Sequence, residues 1–158
     1  MLKDNNGSLI SDPHLVAEMF SLCFKNAFVD EPMDVEIPIP DINLRNRSTL
    51  TSIEFNEDKV YQELTKLKDG GSPGGDGAHP YILKKCAGQL CGPLSKIMSQ
   101  SLNLGVVPKS WKEAISIPIF KKGNRLDPNN YRMVSITSTL LKVMEKIVSK
   151  EITTFLLF

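Results

Sequence analysis

The stretch from residue 114 to residue 138 constrains the fold most, because it has the pattern of two short strands joined by polar turns. Its first run, residues 115–120, alternates apolar positions as a half-buried strand does. A basic loop with a glycine at its corner follows at residues 121–125. A second turn at residues 127–130 leads into a returning strand at residues 131–137. The pattern predicts a β-hairpin with a cationic tip.

The cationic tip of this hairpin has two interpretations. Lysine and arginine clusters bind phosphate, since a guanidinium forks onto two oxygens and an ammonium adds a point charge. Lysines on an ordinary hairpin are also simply solvated, and from this stretch alone that second interpretation is favoured. Features elsewhere in the chain are therefore needed to choose between phosphate binding and plain solvation.

The charge of the chain is unevenly distributed, although its net value is only +1. Before residue 61 the acidic residues outnumber the basic ones by 11 to 5. Between Lys109 and Lys150, nine basic residues face three acidic ones. A basic half on a nearly neutral chain indicates a localised contact with a polyanion.

Composition sets the broad class of protein. The 158 residues, 41% of them hydrophobic and 23% charged, are typical of one globular domain or of one lobe of a larger protein. Cys23, Cys86 and Cys91 lack zinc-site spacing with either histidine, which predicts reduced, mostly buried thiols in an intracellular protein. No apolar run approaches a membrane span, and polar residues 3–7 interrupt any signal peptide. We therefore expect no membrane partner.

The first third of the chain is predicted to hold a helix and a linker. Asp12 and Pro13 form a helix start, and apolar residues continue at helical spacing to Phe28, so a helix is expected over about residues 12–28. Residues 30–41 are rich in proline and acidic side chains, which favours an extended linker.

A glycine-rich loop follows the next predicted helix, which runs from an Asn56 cap to Lys68. Residues 69–80 contain five glycines and two prolines and cannot form a regular element. Such a loop can present backbone N–H groups to phosphate, but it lacks the Gly-Lys-Ser/Thr ending of a Walker loop. Spacing alone favours a flexible connector.

Further helices are predicted on both sides of the hairpin. Helical spacing runs from Pro80 to about Leu104, with Pro93 starting a new helix and Gly105 ending it. Residues 108–112 form a short turn or helix that brings Trp111 to the first strand. Ser138 is expected to cap a final helix.

The final helix is expected to be amphipathic. Its apolar stripe follows helical spacing and comprises Leu141, Met144, Val148, Ile152 and Phe155. Lys142, Lys146 and Lys150 form a basic stripe beside it, which is normally a solvated face but also suits contact with a nucleic-acid backbone. The apolar ending at residues 155–158 predicts that the sequence is cut there.

Three motifs, taken in order, resemble one known family. They are SPGGDG at residues 72–77, Trp111-Lys112 followed by PIFKKG at 118–123, and NYRMVSITS at 130–138. Their order and intervals resemble the N-terminal part of the reverse transcriptase of non-LTR (LINE-type, Jockey-like) retrotransposons. Gly75 and Met133 depart from the family pattern, which has proline there, and the change loosens the local backbone.

The resemblance implies a fold and a domain organisation. Reverse transcriptases have a right-hand fold, and this chain corresponds to an N-terminal extension (residues 1–51) and a partial reverse transcriptase domain (residues 52–158) truncated before the palm motifs. The expected fold class is α+β: a mostly helical, partial fingers subdomain with a small antiparallel β-hairpin.

The resemblance also implies site residues and partners. Lys121, Lys122 and Arg132 would contact the triphosphate of the incoming deoxynucleotide. The template strand would lie near four further residues: Ser72, Gly74, Gly77 and Arg125. The expected partners are therefore an RNA template, a DNA primer and a deoxynucleoside triphosphate, while the oligomeric state and the choice between nucleus and cytoplasm stay open.

The catalytic carboxylates of the family are not found in this sequence. The complete enzyme holds Mg²⁺ with palm aspartates, two of them in a Tyr-Ala-Asp-Asp turn that this chain lacks. Asp76 and Asp127 match no metal-ligand position. We therefore assign no catalytic and no metal-binding residue, and predict that the chain alone does not polymerise DNA. The alternatives are a non-catalytic nucleic-acid-binding remnant and a small structural α+β domain.

Overall fold

The computed structural model describes residues 1–4, 6–26, 28 and 49–157. Within these ranges the fold is α+β, with helices and two small two-stranded antiparallel sheets. The chain divides into two compact units: the first holds Met1–Asn46 and Ser116–Val134, and the second holds Arg47–Ile115 and Ser135–Phe158. The predicted acidic linker at residues 30–41 lies outside the described residues.

The second unit is built on packed helices. They are α2 (Glu57–Thr65), α3 (Pro80–Lys85), α4 (Ala87–Leu104), α5 (Lys109–Lys112) and α6 (Thr139–Leu157). Helix α2 packs against both α4 and α6. The core of this unit lies among these helices and includes Phe55, Val60, Leu64, Leu94, Met98, Trp111, Val143 and Ile147. Burial of these apolar side chains is the main stabilising contribution to this unit.

Local sequence signals account for the ends of these helices. The Asn56 side chain accepts a hydrogen bond from Lys59 N at 2.8 Å and so caps α2. Ser138 Oγ accepts from Leu140 N at 3.2 Å and from Leu141 N at 3.3 Å, which caps α6. Gly105 ends α4 with a φ of 64°, in the left-handed region that favours glycine. These three predicted helix ends are confirmed.

The prediction that Pro93 starts a helix is wrong. Pro93 lies inside α4, and the break falls instead at Cys86, between α3 and α4. Proline cannot donate to the carbonyl four residues earlier, that of Gln89. Pro93 is exposed and lies in the second turn of the helix, which continues through it to Leu104.

No helix in the described part of the chain is long and apolar enough to cross a membrane.

The three cysteines are free thiols, but the expectation that they are mostly buried is wrong. Cys91 is buried in the core of the second unit, Cys23 is half-buried, and Cys86 is exposed. The position of Cys86 at the junction of two helices explains its exposure, because a residue between helices does not share the buried face of either one.

The first unit begins with a small hairpin and a helix. Strands β1 (Leu2–Lys3) and β2 (Leu9–Ile10) pair antiparallel, and the Asp4 side chain accepts hydrogen bonds in the turn between them. Helix α1 (Pro13–Lys25) starts as predicted, with Asp12 accepting from the backbone N–H groups of its first turn. It ends at Lys25, so Phe28 lies beyond it.

The central hairpin consists of β3 (Ala114–Phe120) and β4 (Tyr131–Thr137), within a residue of the predicted bounds. The first strand is part-buried on the face of Pro118 and Phe120, so the prediction is wrong only for the isoleucines: Ile117 and Ile119 are 37% and 40% exposed. Side chains alternate between the two faces of a strand, and these isoleucines stand opposite the face that carries Phe120. On the face that carries Phe120, the Tyr131 ring packs against the Phe20 ring of α1, with 4.8 Å between the ring centroids.

Candidate functional site

The tip of the central hairpin sets the position of the predicted phosphate contacts. Lys121 N donates to Asn130 O at 2.8 Å, and the Phe120 and Tyr131 rings meet edge to face at 5.4 Å. Phe120 therefore lies opposite Tyr131. Strand alternation then places Lys121 and Arg132 on the same face of the ladder. Lys122 follows in the turn, beyond the end of β3.

The turn that carries these cations is held by its own hydrogen bonds. Gly123 has a φ of 88°, and a Cβ there would lie 2.9 Å from the Asn130 side chain, so the predicted glycine corner is confirmed. Asn130 Nδ2 donates to the carbonyl of Asn124 at 3.0 Å. Asp127 accepts from Asn129 N at 2.9 Å at the start of a single 3₁₀ turn, Pro128–Asn130. These hydrogen bonds fix the backbone conformation of the hairpin tip.

Arg125 lies on the same tip and is held by aromatic residues. Its Cζ atom lies 4.8 Å from the centroid of the Phe120 ring, a cation–π contact. The carbonyl of Arg125 accepts a hydrogen bond from the Tyr131 hydroxyl at 2.8 Å. The guanidinium is thereby kept beside the strand pair while it stays exposed.

The four tip cations have no acidic partners among the residues that the structure describes. Lys121, Lys122, Arg125 and Arg132 are all exposed, and in those ranges none of them lies within 4.0 Å of a carboxylate oxygen. Cations without a neutralising partner produce a positive local potential and attract anions. The hairpin tip therefore presents a positively charged surface.

The glycine-rich loop belongs to the second unit and is anchored, so its interpretation as a flexible connector is wrong. A Cβ on Gly74 would lie only 2.7 Å from Ser138 Cα and 2.8 Å from Ser138 N. Asp76 Oδ2 accepts a hydrogen bond from the Ser138 hydroxyl at 2.5 Å. Gly77, with a φ of 70°, closes the turn by donating to Gly74 O at 3.1 Å. The loop is thus fixed to the start of α6.

The predicted template residues differ in their exposure. Ser72 and Gly77 are exposed, whereas Gly74 is buried against the backbone at Ser138. Close packing therefore explains the glycine at position 74. If the loop contacts a ligand, it does so through exposed positions such as Ser72 and Gly77 and their backbone groups.

The basic stripe on α6 is partly an ion-pair cluster. Glu63 of α2 is only 3% exposed and accepts a hydrogen bond from Lys150 and another from Lys66, the latter at 3.1 Å. Its other oxygen lies 3.1 Å from Lys146 Nζ. Burial raises the pKa of Glu63, but the lysines outweigh it and lower the pKa from 4.5 to about 2. Two lysines of the stripe therefore neutralise a buried carboxylate.

The acidic side chains of the described part do not form a magnesium site. No group of three His, Cys, Asp or Glu side chains comes together there. The Asp76 carboxylate is engaged by Ser138 and by Ala78 N, and one oxygen of Asp127 accepts two hydrogen bonds from Asn129. Mg²⁺ is usually held by one or two protein carboxylates together with substrate phosphates, and these two carboxylates are already engaged within the chain.

An aromatic cluster beside the hairpin was missed by the sequence analysis, which treated these residues only as the apolar face of a helix. Phe20 and Phe24 of α1 stack at 5.8 Å, and Phe20 contacts Tyr131 of β4. The signal was present in the spacing of Phe20, Phe24 and Phe28, each four residues apart. That spacing places Phe20 and Phe24 along one side of α1, whereas Phe28 lies beyond the end of the helix.

Two proteins of mobile elements are similar to this chain at low identity. An alignment over 136 residues, which covers 85% of this chain, is 26% identical to the RNA-directed DNA polymerase from mobile element jockey of Drosophila melanogaster. An alignment over 150 residues, which covers 91% of this chain, is 23% identical to the Transposon TX1 uncharacterized 149 kDa protein of Xenopus laevis. The chain covers 13% and 11% of these two relatives. No protein-family model matches the chain.

Proposed function

We propose that this chain is the fingers portion of an RNA-directed DNA polymerase from a non-LTR retrotransposon. The observation that carries the proposal is the hairpin tip, where exposed cations lack acidic partners among the described residues. The similarity to the polymerase of the mobile element jockey supports it. The chain spans about an eighth of that relative, so it supplies only part of such an enzyme.

The tip cations have distinct roles in this proposal. Lys121, Lys122 and Arg132 bind the triphosphate of the incoming deoxynucleotide, because a forked guanidinium and neighbouring ammonium groups match phosphate oxygens and stabilise their charge. Arg125 contributes to the template side.

The glycine-rich loop also contributes to the template side in this proposal. Ser72 and Gly77 present the loop to the template, and Gly74 holds the loop backbone in place through its close packing. The partners are an RNA template and a DNA primer.

The proposal does not include catalysis by this chain alone. Nucleotidyl transfer by two metal ions requires carboxylates that converge on Mg²⁺, and the described residues offer no such cluster. In the complete enzyme, the palm carboxylates would supply the metal site. What this chain contributes is the positioning and charge neutralisation of phosphate groups.

The salt dependence of RNA binding tests the role of the tip cations. In the absence of a nucleotide, we expect the same exposed cations to contact the phosphates of a short single-stranded RNA, with an affinity that falls steeply as salt is raised. Each phosphate contact on a single strand contributes about −0.7 to the slope of log affinity against log salt. The double variant K121A/R132A should therefore reduce the slope by about 1.4 and weaken binding at low salt. Fluorescence anisotropy titrations at several salt concentrations measure both quantities.

A matched control removes the same charge elsewhere. Lys68 and Lys96 are exposed in the second unit, and K68A/K96A should leave the slope close to that of the unchanged chain. If both double variants reduce the slope equally, binding depends on net charge and the proposed tip site is refuted.

The same exposed cations also favour a second candidate function, a nucleic-acid-binding remnant without a nucleotide site. The two candidates differ in their ligands. A polymerase fragment should bind a deoxynucleoside triphosphate at the tip in the absence of RNA, whereas a remnant should bind RNA alone. Absence of binding to either ligand would leave only a structural α+β domain.

A further inference from the structure

An apolar groove lies within the first unit, between α1 and the tip half of the strand pair. Its main cavity has a volume of about 600 Å³ and is lined by Val16, Phe24, Phe28, Pro118 and Met133, among others. A second cavity of about 270 Å³ shares Phe24, Phe28 and Met133 with it and adds Tyr131 and Arg132. The two cavities are therefore adjacent and are together called the groove; the smaller one is lined by Arg132, a proposed phosphate contact.

The aromatic side chains of the groove offer flat surfaces for stacking. Phe28 is 72% exposed, although it borders an apolar cavity. Phe24 is half-buried and is held by its stacked contact with Phe20, at an interplanar angle of 16°. Exposed aromatic rings beside cations are typical of sites that stack the bases of single-stranded nucleic acids.

The charged side chains of the described part that line the groove are basic. Lys25 lines the main cavity and Arg132 lines the smaller one, and no aspartate or glutamate of the described part lines either. By contrast, a third cavity of about 510 Å³ in the same unit includes both Asp4 and Asp127 in its lining. A ligand with a flat apolar ring and a phosphate group complements the groove and not the third cavity.

We propose that, while no triphosphate occupies the hairpin tip, this groove binds one nucleotide of a single strand, with its base against Phe28 and Phe24 and its phosphate at Arg132. The proposal rests on the proposed function, since it adds a base-binding site to a surface already assigned to phosphate. Base stacking on an aromatic side chain is largely independent of sequence. The groove would therefore hold an unpaired strand of any sequence.

The variant Phe28→Ala tests the stacking contact. Phe28 lies outside α1 and is largely exposed, so its truncation removes little packing. We expect the variant to bind a short single-stranded RNA at least about fivefold more weakly. Its affinity for an abasic phosphodiester chain of equal length should not change, and neither should the salt slope for RNA, because no phosphate contact is lost. The control Leu104→Ala truncates another exposed apolar side chain, in α4, and should leave RNA binding unchanged.

The variant Phe28→Trp gives a direct optical readout. Its exposed indole should fluoresce at long wavelength and be quenched when RNA binds, whereas the abasic chain should leave the emission unchanged. Trp111 is 5% exposed in the core of the second unit, so its emission should not respond. Phe28→Trp should also keep the RNA affinity of the unchanged chain.

Three results would overturn the groove proposal. Equal affinity of Phe28→Ala and the unchanged chain for RNA would exclude stacking. Self-association that Phe28→Ala abolishes, with RNA affinity unchanged, would assign the groove to a second copy of the chain. Equal affinity of the unchanged chain for RNA and for the abasic chain would exclude a base site. The proposed function fails separately, if the chain does not bind a deoxynucleoside triphosphate at the hairpin tip, whatever the result for Phe28→Ala.

Discussion

Glu63→Gln is expected to lower the free energy of unfolding at neutral pH by about 2–3 kcal/mol. The substitution keeps the size of the side chain but removes the charge that Lys66, Lys146 and Lys150 stabilise. Glu63 is almost completely buried, so its interactions are screened little by solvent, whereas its lysine partners are about half exposed. Chemical denaturation of the two proteins measures the difference.

The same residue predicts how stability depends on acid. The pKa of Glu63 is about 2 in the folded chain, against an ordinary value of 4.5. A lowered folded-state pKa means that the carboxylate stabilises the fold above pH 4.5, and that this contribution is lost as the pH falls towards 2. The unfolding free energies of the unchanged chain and of Glu63→Gln should therefore converge across this interval.

Glu145→Gln is the matched control, because Glu145 is an exposed carboxylate on α6 with no ion pair among the described residues. It should change stability by less than about 0.5 kcal/mol. If Glu63→Gln and the unchanged chain keep a constant difference down to pH 2, the assigned ion cluster does not exist in solution.

Gly74→Ala is expected to destabilise the second unit by about 1–3 kcal/mol. The added Cβ would lie 2.7–2.8 Å from backbone atoms of Thr137 and Ser138. Backbone atoms at a helix start cannot move aside as the end of a flexible side chain can. Relief of the clash would displace the loop and lengthen the hydrogen bond between Asp76 and Ser138. Thermal and denaturant unfolding report the loss of stability.

The control for this glycine has the opposite expected sign. Gly88 lies in α4, where an added Cβ would have no neighbouring atom within 4 Å, and alanine is the better helix former. Gly88→Ala should therefore stabilise the chain by up to about 1 kcal/mol. A Gly74→Ala protein as stable as the unchanged chain would show that the loop does not pack on the start of α6.

Local sequence signals predicted much of this fold. The strand bounds of the hairpin followed from alternation and turn residues, and the helix ends followed from Asn56, Gly105 and Ser138. Each of these signals acts over a few residues, so the residues that carry it are adjacent in the sequence.

Features that depend on distant residues were not predictable in the same way. Glu63 and Lys150 are 87 positions apart, and no spacing rule connects them. The close approach of Gly74 to Ser138 depends on how the loop packs, and a glycine-rich composition equally suits a free connector. The exposure of Ile117 and Ile119 is likewise a tertiary property, since alternation shows that a strand has two faces and not which face is covered.

The cations of the candidate site were found from the sequence, but their surroundings were not. Lys121, Lys122 and Arg132 stood out by residue type and motif. The aromatic rings beside them lie on α1, more than 90 residues earlier in the chain, and their contact with Tyr131 is visible only in the folded unit.

Nuclear magnetic resonance tests the central claim most directly. A deoxynucleoside triphosphate is titrated into the ¹⁵N-labelled chain without RNA, and the backbone amide shifts are followed residue by residue. We expect saturable shift changes centred on Lys121, Lys122 and Arg132, which K121A/R132A abolishes and K68A/K96A retains. Shift changes spread over the lysines of α4 and α6, or none at the hairpin tip, would contradict the assignment of this hairpin as a phosphate-binding element.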